Sequence, residues 1–392
     1  MKVVEISFWL AFFVVSYTFI GYAVIVWLWS KWLSISKKPF QFNPFEPKVT
    51  LVVPAYNEAD ILESKIKNCL SLDYPADKLE IIFITDGSTD NSAQVLAGYP
   101  AVGHLHSPKR GGKALAENRA MEHVSTPYVI FTDCNSYLNK EAVRELVKHY
   151  QDPKVGAVSG EKKVMAVAGS TSGSGEGLYW KYESFLKRCD SRIKSLMGAA
   201  GELVSFKSDL FKPLEKDTIL DDFVQSLRIV EEGYKVVYEP GAYAMEAPSA
   251  SIVEEMKRKV RICAGGWQAM GRLKSLLNPI KHPVITFLYV SHRVLRWSLT
   301  PLLLAAMLPL NLALAITYGG VYSVILGLQI LFYLAAWLGW QAEKRDVKVK
   351  PFLVPLYFSM MNVAVFMGFF RYIRKAQPAA WEKADRSVFS TI

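Results

Sequence analysis

Ionisable side chains gather where apolar runs of this chain stop. Glu58 follows residues 49–54, Asp86 and Asp90 follow residues 81–84, and Asp133 follows residues 128–132. Asp221 and Asp222 stand side by side in TILDDF, directly before the helical pattern VQSLRIVEEGY. A positioned carboxylate can take a proton from an attacking hydroxyl, and an adjacent acid raises the pKa of its neighbour. The plainer reading of the pair is a helix N-cap, a place where Asp is favoured, and Asp221 suits that role. Basic residues form two more groups. Arg110, Gly111, Gly112 and Lys113 precede a helix whose N-terminus favours an anion. Arg258, Lys259 and Arg261 share one helical stretch, and an arginine fork grips phosphate in a way lysine cannot copy. Solvated turns, or a helix lying on a membrane surface, are the alternatives for the basic groups.

The elements that would position these groups read as strand, turn, helix, strand. Residues 49–53 form an apolar run and Pro54 stops it; Ile61, Leu62, Ile66 and Leu70 mark one helix face; Ile81 to Ile84 form a second run. This is the opening unit of a mostly parallel α/β sheet, whose ligands bind beyond the carboxyl ends of the strands. YVIFT at 128–132, VGAVSGEKKV at 155–164 and KVVYEPGAYAMEA at 235–247 supply further strands. Residues 168–177 are rich in Gly and Ser and read as a loop, followed by a helix over residues 176–196 bearing Tyr179, Trp180, Tyr182 and Phe185.

VVPAYNE followed by ITDGSTDNS resembles the start of a family 2 glycosyltransferase domain. The resemblance covers roughly residues 48–270 and implies a GT-A fold that binds a nucleotide-sugar. It places Ala55, Tyr56, Glu58 and Asp86 at the nucleoside, and Lys113, Arg258 and Arg261 at the diphosphate. The family's D-x-D motif falls on Asp133-Cys134-Asn135, implying a divalent cation (Mg2+ or Mn2+) held by Asp133. Asn135, which replaces the second acid, brings an oxygen but no charge. The family's catalytic base, the second acid of a comparable pair, maps to Asp222. The Gly198 to Leu203 stretch corresponds to the acceptor side, where small residues leave room for a sugar. The family's Q-x-x-R-W motif is altered here: the arginine aligns with Arg261, whereas the glutamine and tryptophan do not. Trp267 is the nearby candidate for the missing ring, and its displacement puts processive polymerisation in doubt.

The chain has 392 residues, 51% of them hydrophobic, with a formal net charge of +10. Residues 6–29, 298–340 and 351–370 are nearly free of charge. The first is long enough to cross a bilayer and lacks the basic start and cleavage site of a signal peptide. Lys31, Lys37 and Lys38 put the downstream side in the cytoplasm. Residues 284–298 read as an interfacial helix. Residues 299–318 and 321–340 read as an antiparallel transmembrane pair joined at Gly319-Gly320. The segment 352–370 raises a conflict: one strict crossing would carry Arg371, Arg374 and Lys375 outside, so either the charge rule breaks or the segment is re-entrant. Four scattered cysteines without a C-x-x-C pair argue against a zinc site or a disulfide framework. The net charge points to anionic lipids and a diphosphate, and no nucleic-acid motif is present.

The expected organisation is a transmembrane helix and linker (1–47), a GT-A domain (48–250), amphipathic interfacial helices (251–298) and C-terminal transmembrane helices with a tail (299–392). The expected activity is inverting transfer from a nucleotide-sugar, most simply a UDP-sugar, to an acceptor hydroxyl in extracellular polysaccharide synthesis. The site would face the cytoplasm from a bacterial-type inner membrane. The acceptor is a polysaccharide, or a lipid-linked sugar receiving one addition. A silent protein that only binds nucleotide-sugar is the third reading. On a helix, Arg258 and Arg261 share a face and Lys259 points about 100° away. Lys259 is therefore expected to face headgroups or solvent.

Overall fold

The computed structural model describes residues 1–36, 42–165, 171–249, 251–345, 347 and 349–380. Lys37, Lys38, Pro39, Lys348 and part of the Gly/Ser-rich stretch lie outside the described residues. Eight strands form one sheet: β1 Val49–Ala55, β2 Leu79–Asp86, β3 Gly103–Ser107, β4 Tyr128–Phe131, β5 Tyr137–Leu138, β6 Val155–Val164, β7 Val204–Lys207 and β8 Lys235–Glu246. Their order is β3-β2-β1-β4-β7-β6-β8-β5. The β1–β2, β1–β4, β2–β3 and β6–β8 pairs are parallel; β7 and β5 join antiparallel.

The helices are α1 Lys2–Ser16, α2 Tyr22–Ser36, α3 Ala59–Leu70, α4 Ser92–Ala97, α5 Lys113–Met121, α6 Ala142–Val147, α7 Thr171–Ile193 and α8 Asp221–Glu231. They continue with α9 Ile252–Arg272, α10 Pro283–Tyr289, α11 Leu295–Trp297, α12 Leu299–Tyr318, α13 Gly320–Glu343 and α14 Lys350–Ile373. The period-2 alternation of the strands feeds two cores. Leu51 and Val53 pack with Leu62 and Ile66 of α3 and Leu146 of α6. Val52, Val129 and Phe131 pack with Ala116 of α5, Leu186 of α7 and Leu227 of α8 on the opposite face. That second core continues through Tyr22 and Val26 into Ile285 and Leu288 of α10, so the sheet domain and the apolar helices share one packed interior.

Three short strands, β3, β5 and β7, escaped the sequence reading. β3 (GHLHS) is polar, and both of its histidines bond the Thr85 hydroxyl at 2.8 Å. β5 has only two residues. The expected loop over 168–177 is corrected: α7 begins at Thr171, so the helix takes in the Gly- and Ser-rich residues from there on.

Among the described residues, four helices are long and apolar enough to cross a membrane: Lys2–Ile35, Leu299–Tyr318, Gly320–Glu343 and Pro351–Ile373. The α12–α13 pair turns at Gly319 and Gly320, as expected, both in the left-handed region at φ 62° and 52°. Helix α14 forms the last apolar segment. It lies along α9: Ile252 meets Leu356 and Tyr357, Val260 and Cys263 meet Ala364 and Val365, and Trp267 meets Phe369. Gly368 permits this contact, since a Cβ there would stand 2.6 Å from Cys263 Cβ and 2.8 Å from Ala264 N. The tail then returns to the sheet domain, where Ala380 reaches within 3.3 Å of the Cβ position of Gly112. The tail that carries Arg371, Arg374 and Lys375 thus ends against the sheet domain.

Candidate active site

The carboxyl ends of β1, β2 and β4 carry the residues singled out from the sequence. After β1, Asn57 turns with φ 53°, and its side-chain oxygen accepts from Thr89 N at 2.8 Å. This locks the β1 turn to the β2 turn. Tyr56 lies under the Arg110 guanidinium, 3.7 Å from ring centre to Cζ, a cation–π stack. Asp86 is 4% exposed. It accepts from Gly111 N at 2.9 Å, Gly112 N at 2.6 Å and Arg119 Nη2 at 2.7 Å. Asp86 thus fixes the Gly-Gly turn, beside a small cleft that it shares with Ala55, Tyr56 and Arg110. Gly87 makes that turn possible: φ is +69°, and a Cβ would lie 2.6 Å from Arg110 N.

Lys113 opens α5 and points its ammonium into a ring of acids. It donates to Asp133 Oδ1 at 2.6 Å and Gly201 O at 3.3 Å, and stands 3.4 Å from Asp221 Oδ2 and 3.9 Å from Glu117 Oε1. Burial draws the ammonium down, but Asp133, Asp221 and Glu117 more than offset this and hold its pKa well above the ordinary lysine value. Burial likewise raises Asp133 and Glu117 above the usual carboxylate range. Asp221 is not the helix cap expected from sequence. Leu220 occupies that position without a side-chain bond, and Asp221 is the first helical residue, turned towards Lys113. Asp222 follows it into the cavity. Burial, then the Asp221 charge, push the Asp222 carboxyl up to about 7. Gly201 faces both groups: a Cβ there would sit 3.0 Å from Lys113 Nζ and 3.4 Å from Asp222 Oδ2.

Tyr56, Lys113, Asp133, Gly201, Asp221 and Asp222 open on one cavity of about 1260 Å³, whereas Ala55, Asp86 and Arg110 line the small cleft beside it. Glu58, Lys113, Asp133, Asn135, Asp221 and Asp222 form its polar end, and α14 and the turn after α1 form an apolar end. Asp133 keeps one carboxylate oxygen available on the cavity side. Its side chain is 30% exposed, and its Oδ2 carries no hydrogen bond among the described residues. Asn135 lines the same wall. No group of three His, Cys, Asp or Glu forms a metal cage among the described residues, so a cation here completes its shell with ligand and water oxygens, as magnesium commonly does.

Helix α9 corrects two expectations. Arg258, Lys259 and Arg261 all line the cavity. Lys259 faces neither headgroups nor solvent: it is 3% exposed, 3.4 Å from Glu255 Oε1 and 4.3 Å from the Tyr179 ring centre. The reason is that α14 covers the apolar face of α9 and Lys259 lies on the face turned to the cavity, while Lys257 stays exposed. Arg258 grips Glu255 with Nε at 3.0 Å, and Arg261 Nη2 donates to Ile219 O at 2.8 Å, bracing the segment that delivers Asp221 and Asp222. Trp267 does not replace the missing ring. It packs on Phe369, 4.8 Å between centres. Trp297 lines the cavity instead, 5.2 Å from Phe223. The sequence reading did not single out Trp297 for the site, nor His292, Arg293, Arg296 and Lys187 as cavity residues. Their one sequence signal was the presence of charges inside apolar stretches.

The model of glycosyl transferase family group 2 matches residues 128–340, and that of glycosyl transferase family 2 matches residues 50–195. The first alone spans more than half of the chain, and the chain belongs to this family. The poly-beta-1,6-N-acetyl-D-glucosamine synthase of Staphylococcus aureus (strain MSSA476) is 29% identical over 251 residues, 61% of this chain and 59% of that protein. The match thus spans less than two thirds of that relative's length. The synthase of the same name from Staphylococcus epidermidis is 24% identical over 367 residues, 86% of this chain and 87% of that protein. Among solved structures, the mannosyltransferase PcManGT from Pyrobaculum calidifontis, in complex with GDP-Man and Mn2+, superposes with a TM-score of 0.73 at 22% identity. The superposition covers 94% of this chain and 99% of that one, and shows that the GT-A-type fold and its apolar helices are shared. With its apolar helices, the chain is a membrane protein.

Proposed function

We propose that the protein transfers a sugar from a UDP-sugar to an acceptor hydroxyl, with inversion, in the synthesis of an extracellular polysaccharide. One observation carries this reading: the Asp222 carboxyl, raised to about 7, opens on the same cavity as Asp133, with Gly201 leaving the space beside it free. A carboxylate with a pKa near the working pH is suited to general-base catalysis. The acceptor oxygen attacks the anomeric carbon, its proton passes to Asp222, and the bond from that carbon to the diphosphate oxygen breaks. The electron pair leaves with the nucleotide. Arg258 and Arg261 bear on the departing diphosphate, while Lys113 ties Asp133 to the Asp221-Asp222 segment. The Tyr56–Arg110 stack and the turn held by Asp86 border the place of the base, with Glu58 beside them. Asp133, with Asn135, would hold the divalent cation, which neutralises diphosphate charge when bound. Members of this fold generally use such a cation, and Mn2+ accompanies GDP-Man in the mannosyltransferase complex.

The polymer named for the staphylococcal relatives makes UDP-N-acetylglucosamine the first donor to try. We place the catalytic domain on the cytoplasmic face. This follows from the basic residues Lys31, Lys344 and Arg345 and those after α14, which favour the cytoplasm, and from the α14 tail meeting the domain at Gly112. The test is UDP release and product sizing by purified protein with a panel of UDP-sugars, with Asp222→Asn as the control. No turnover with any nucleotide-sugar, or unchanged turnover in Asp222→Asn, would reject the assignment.

A further inference from the structure

The apolar end of the cavity contains charge that the transfer chemistry does not use. Lys187 of α7 lines the cavity, is 4% exposed, and makes no hydrogen bond or ion pair among the described residues. Its nearest recorded partner is the Trp180 ring, 5.4 Å away. Next to it, two guanidinium groups share one carboxylate. Arg293 Nη1 is 2.6 Å from Glu183 Oε1, and Arg296 Nη1 is 3.4 Å from Glu183 Oε2. Asp190, held by Tyr22 Oη at 2.6 Å and His292 Nδ1 at 2.5 Å, is the second carboxylate whose charge reaches Arg293. Three cations, Lys187, Arg293 and Arg296, therefore face the two carboxylates Glu183 and Asp190 in a buried space, where an uncompensated charge is expensive. Burial accordingly draws the Lys187 ammonium below its ordinary value. Lys187 also feels the charges of Glu183, Glu202 and Asp222, none of which forms an ion pair with it among the described residues.

The walls around this cluster are apolar. Phe19, Leu353, Tyr357, Phe358 and Met361 line the cavity. The Phe19 and Phe358 rings meet at 4.9 Å between the first helix and α14. Val354 lines the cavity and is also 59% exposed on the outside of the helix bundle, so the apolar end opens sideways to the surface that lipid chains would cover. We propose that this end binds the phosphate of a lipid-linked acceptor, its head on Lys187, Arg293 and Arg296 and its chain leaving past Val354. This inference rests on the proposed sugar transfer and names the acceptor class of the same site. An anion supplies the missing countercharge, and an apolar tail fits the wall that a free sugar chain would leave unmatched.

The test uses full-length protein in phosphatidylcholine nanodiscs, with UDP present, and compares farnesyl phosphate, farnesol and inorganic phosphate as probes. Lys187→Met and Lys187→Arg serve as variants. Farnesyl phosphate should bind the unmodified protein at least tenfold more tightly than either partial probe. Lys187→Met should lose at least tenfold, Lys187→Arg should retain most of the binding, and UDP affinity should be the same in all three. Lys187→Met should also melt no lower than the parent, which separates lost binding from lost folding. Equal farnesyl phosphate binding in Lys187→Met overturns the proposal. So does inorganic phosphate that binds as tightly and competes with UDP, because the cations then serve the nucleotide. Loss of probe binding on adding phosphatidylglycerol to the nanodisc would assign the site to an ordinary membrane lipid and overturn it as an acceptor site. Lys187-dependent binding without turnover of any UDP-sugar defeats the transferase reading alone. Turnover without Lys187 dependence of probe binding defeats this inference alone.

Discussion

The raised carboxyl of Asp222 makes the pH profile of the reaction calculable. A base that titrates at about 7 is roughly one tenth ionised at pH 6 and nine tenths ionised at pH 8, so kcat should climb about tenfold between them. The sign follows from the role: a general base works deprotonated, so activity is lost as pH falls through the pKa. Asp221 provides the sharper test. Its charge is the second cause of the raised value, after burial. Asp221→Asn removes that charge and keeps the shape, so the acid limb should move to lower pH. A shift of about one unit corresponds to an interaction of about 1.4 kcal/mol between the two carboxylates. The assay is UDP release at saturating donor from pH 5.5 to 9, with cation held in excess. Asp222→Asn should lose about 100- to 10,000-fold and show no such limb. A flat profile in the parent, or a limb that stays in place in Asp221→Asn, would remove Asp222 from the base role.

Asp133→Ala should weaken UDP binding in the presence of a divalent cation and abolish the difference between cation and chelator, read by calorimetry; binding equally tight under both conditions in the parent would reject the metal assignment. Gly201→Ala places a methyl 3.0 Å from Lys113 Nζ and 3.4 Å from Asp222 Oδ2. It should cut kcat at least tenfold, by an order-of-magnitude expectation for a misplaced reacting group, with little change in melting temperature. Lys259→Ala leaves Glu255 with one cation fewer in a buried setting; a loss of about 2 kcal/mol is expected, seen as a lower melting temperature in neutral and anionic lipid alike. A defect that appears only in anionic lipid would return Lys259 to the membrane surface.

The nucleotide end of the site was legible because its signals are local. A strand that ends in YNE, or in DGS, must present those residues at the crevice once the sheet is parallel, and β1 and β2 pair in that register from Val49 with Leu79 to Ala55 with Thr85. The acid pair before α8 was legible for the same reason, although its division of labour was not. Whether Asp221 caps a helix or faces a lysine depends on where α5 lies, and that contact spans more than a hundred residues of chain. The strand β3 was missed because its histidines make it polar, and its bonds go to Thr85 of a neighbouring strand.

The acceptor end was illegible for a physical reason seen at α9. Its pattern of Glu254, Glu255, Lys257, Arg258 and Lys259 beside Ile252, Met256 and Val260 satisfies a bilayer surface and a protein interior equally well. Both offer one apolar and one polar side. What decides between them is α14, almost a hundred residues later, which is apolar enough to pass for a membrane span. Laid along α9, it supplies the apolar environment that headgroups and lipid would otherwise provide. The charges of α9 must then find their partners inside. Lys259 does so with Glu255 and the Tyr179 ring, and Arg261 with the Ile219 carbonyl. The same packing encloses Lys187 without giving it a carboxylate. The helix that hides the site from the sequence reader thus also creates the unmatched charge that calls for an anionic acceptor.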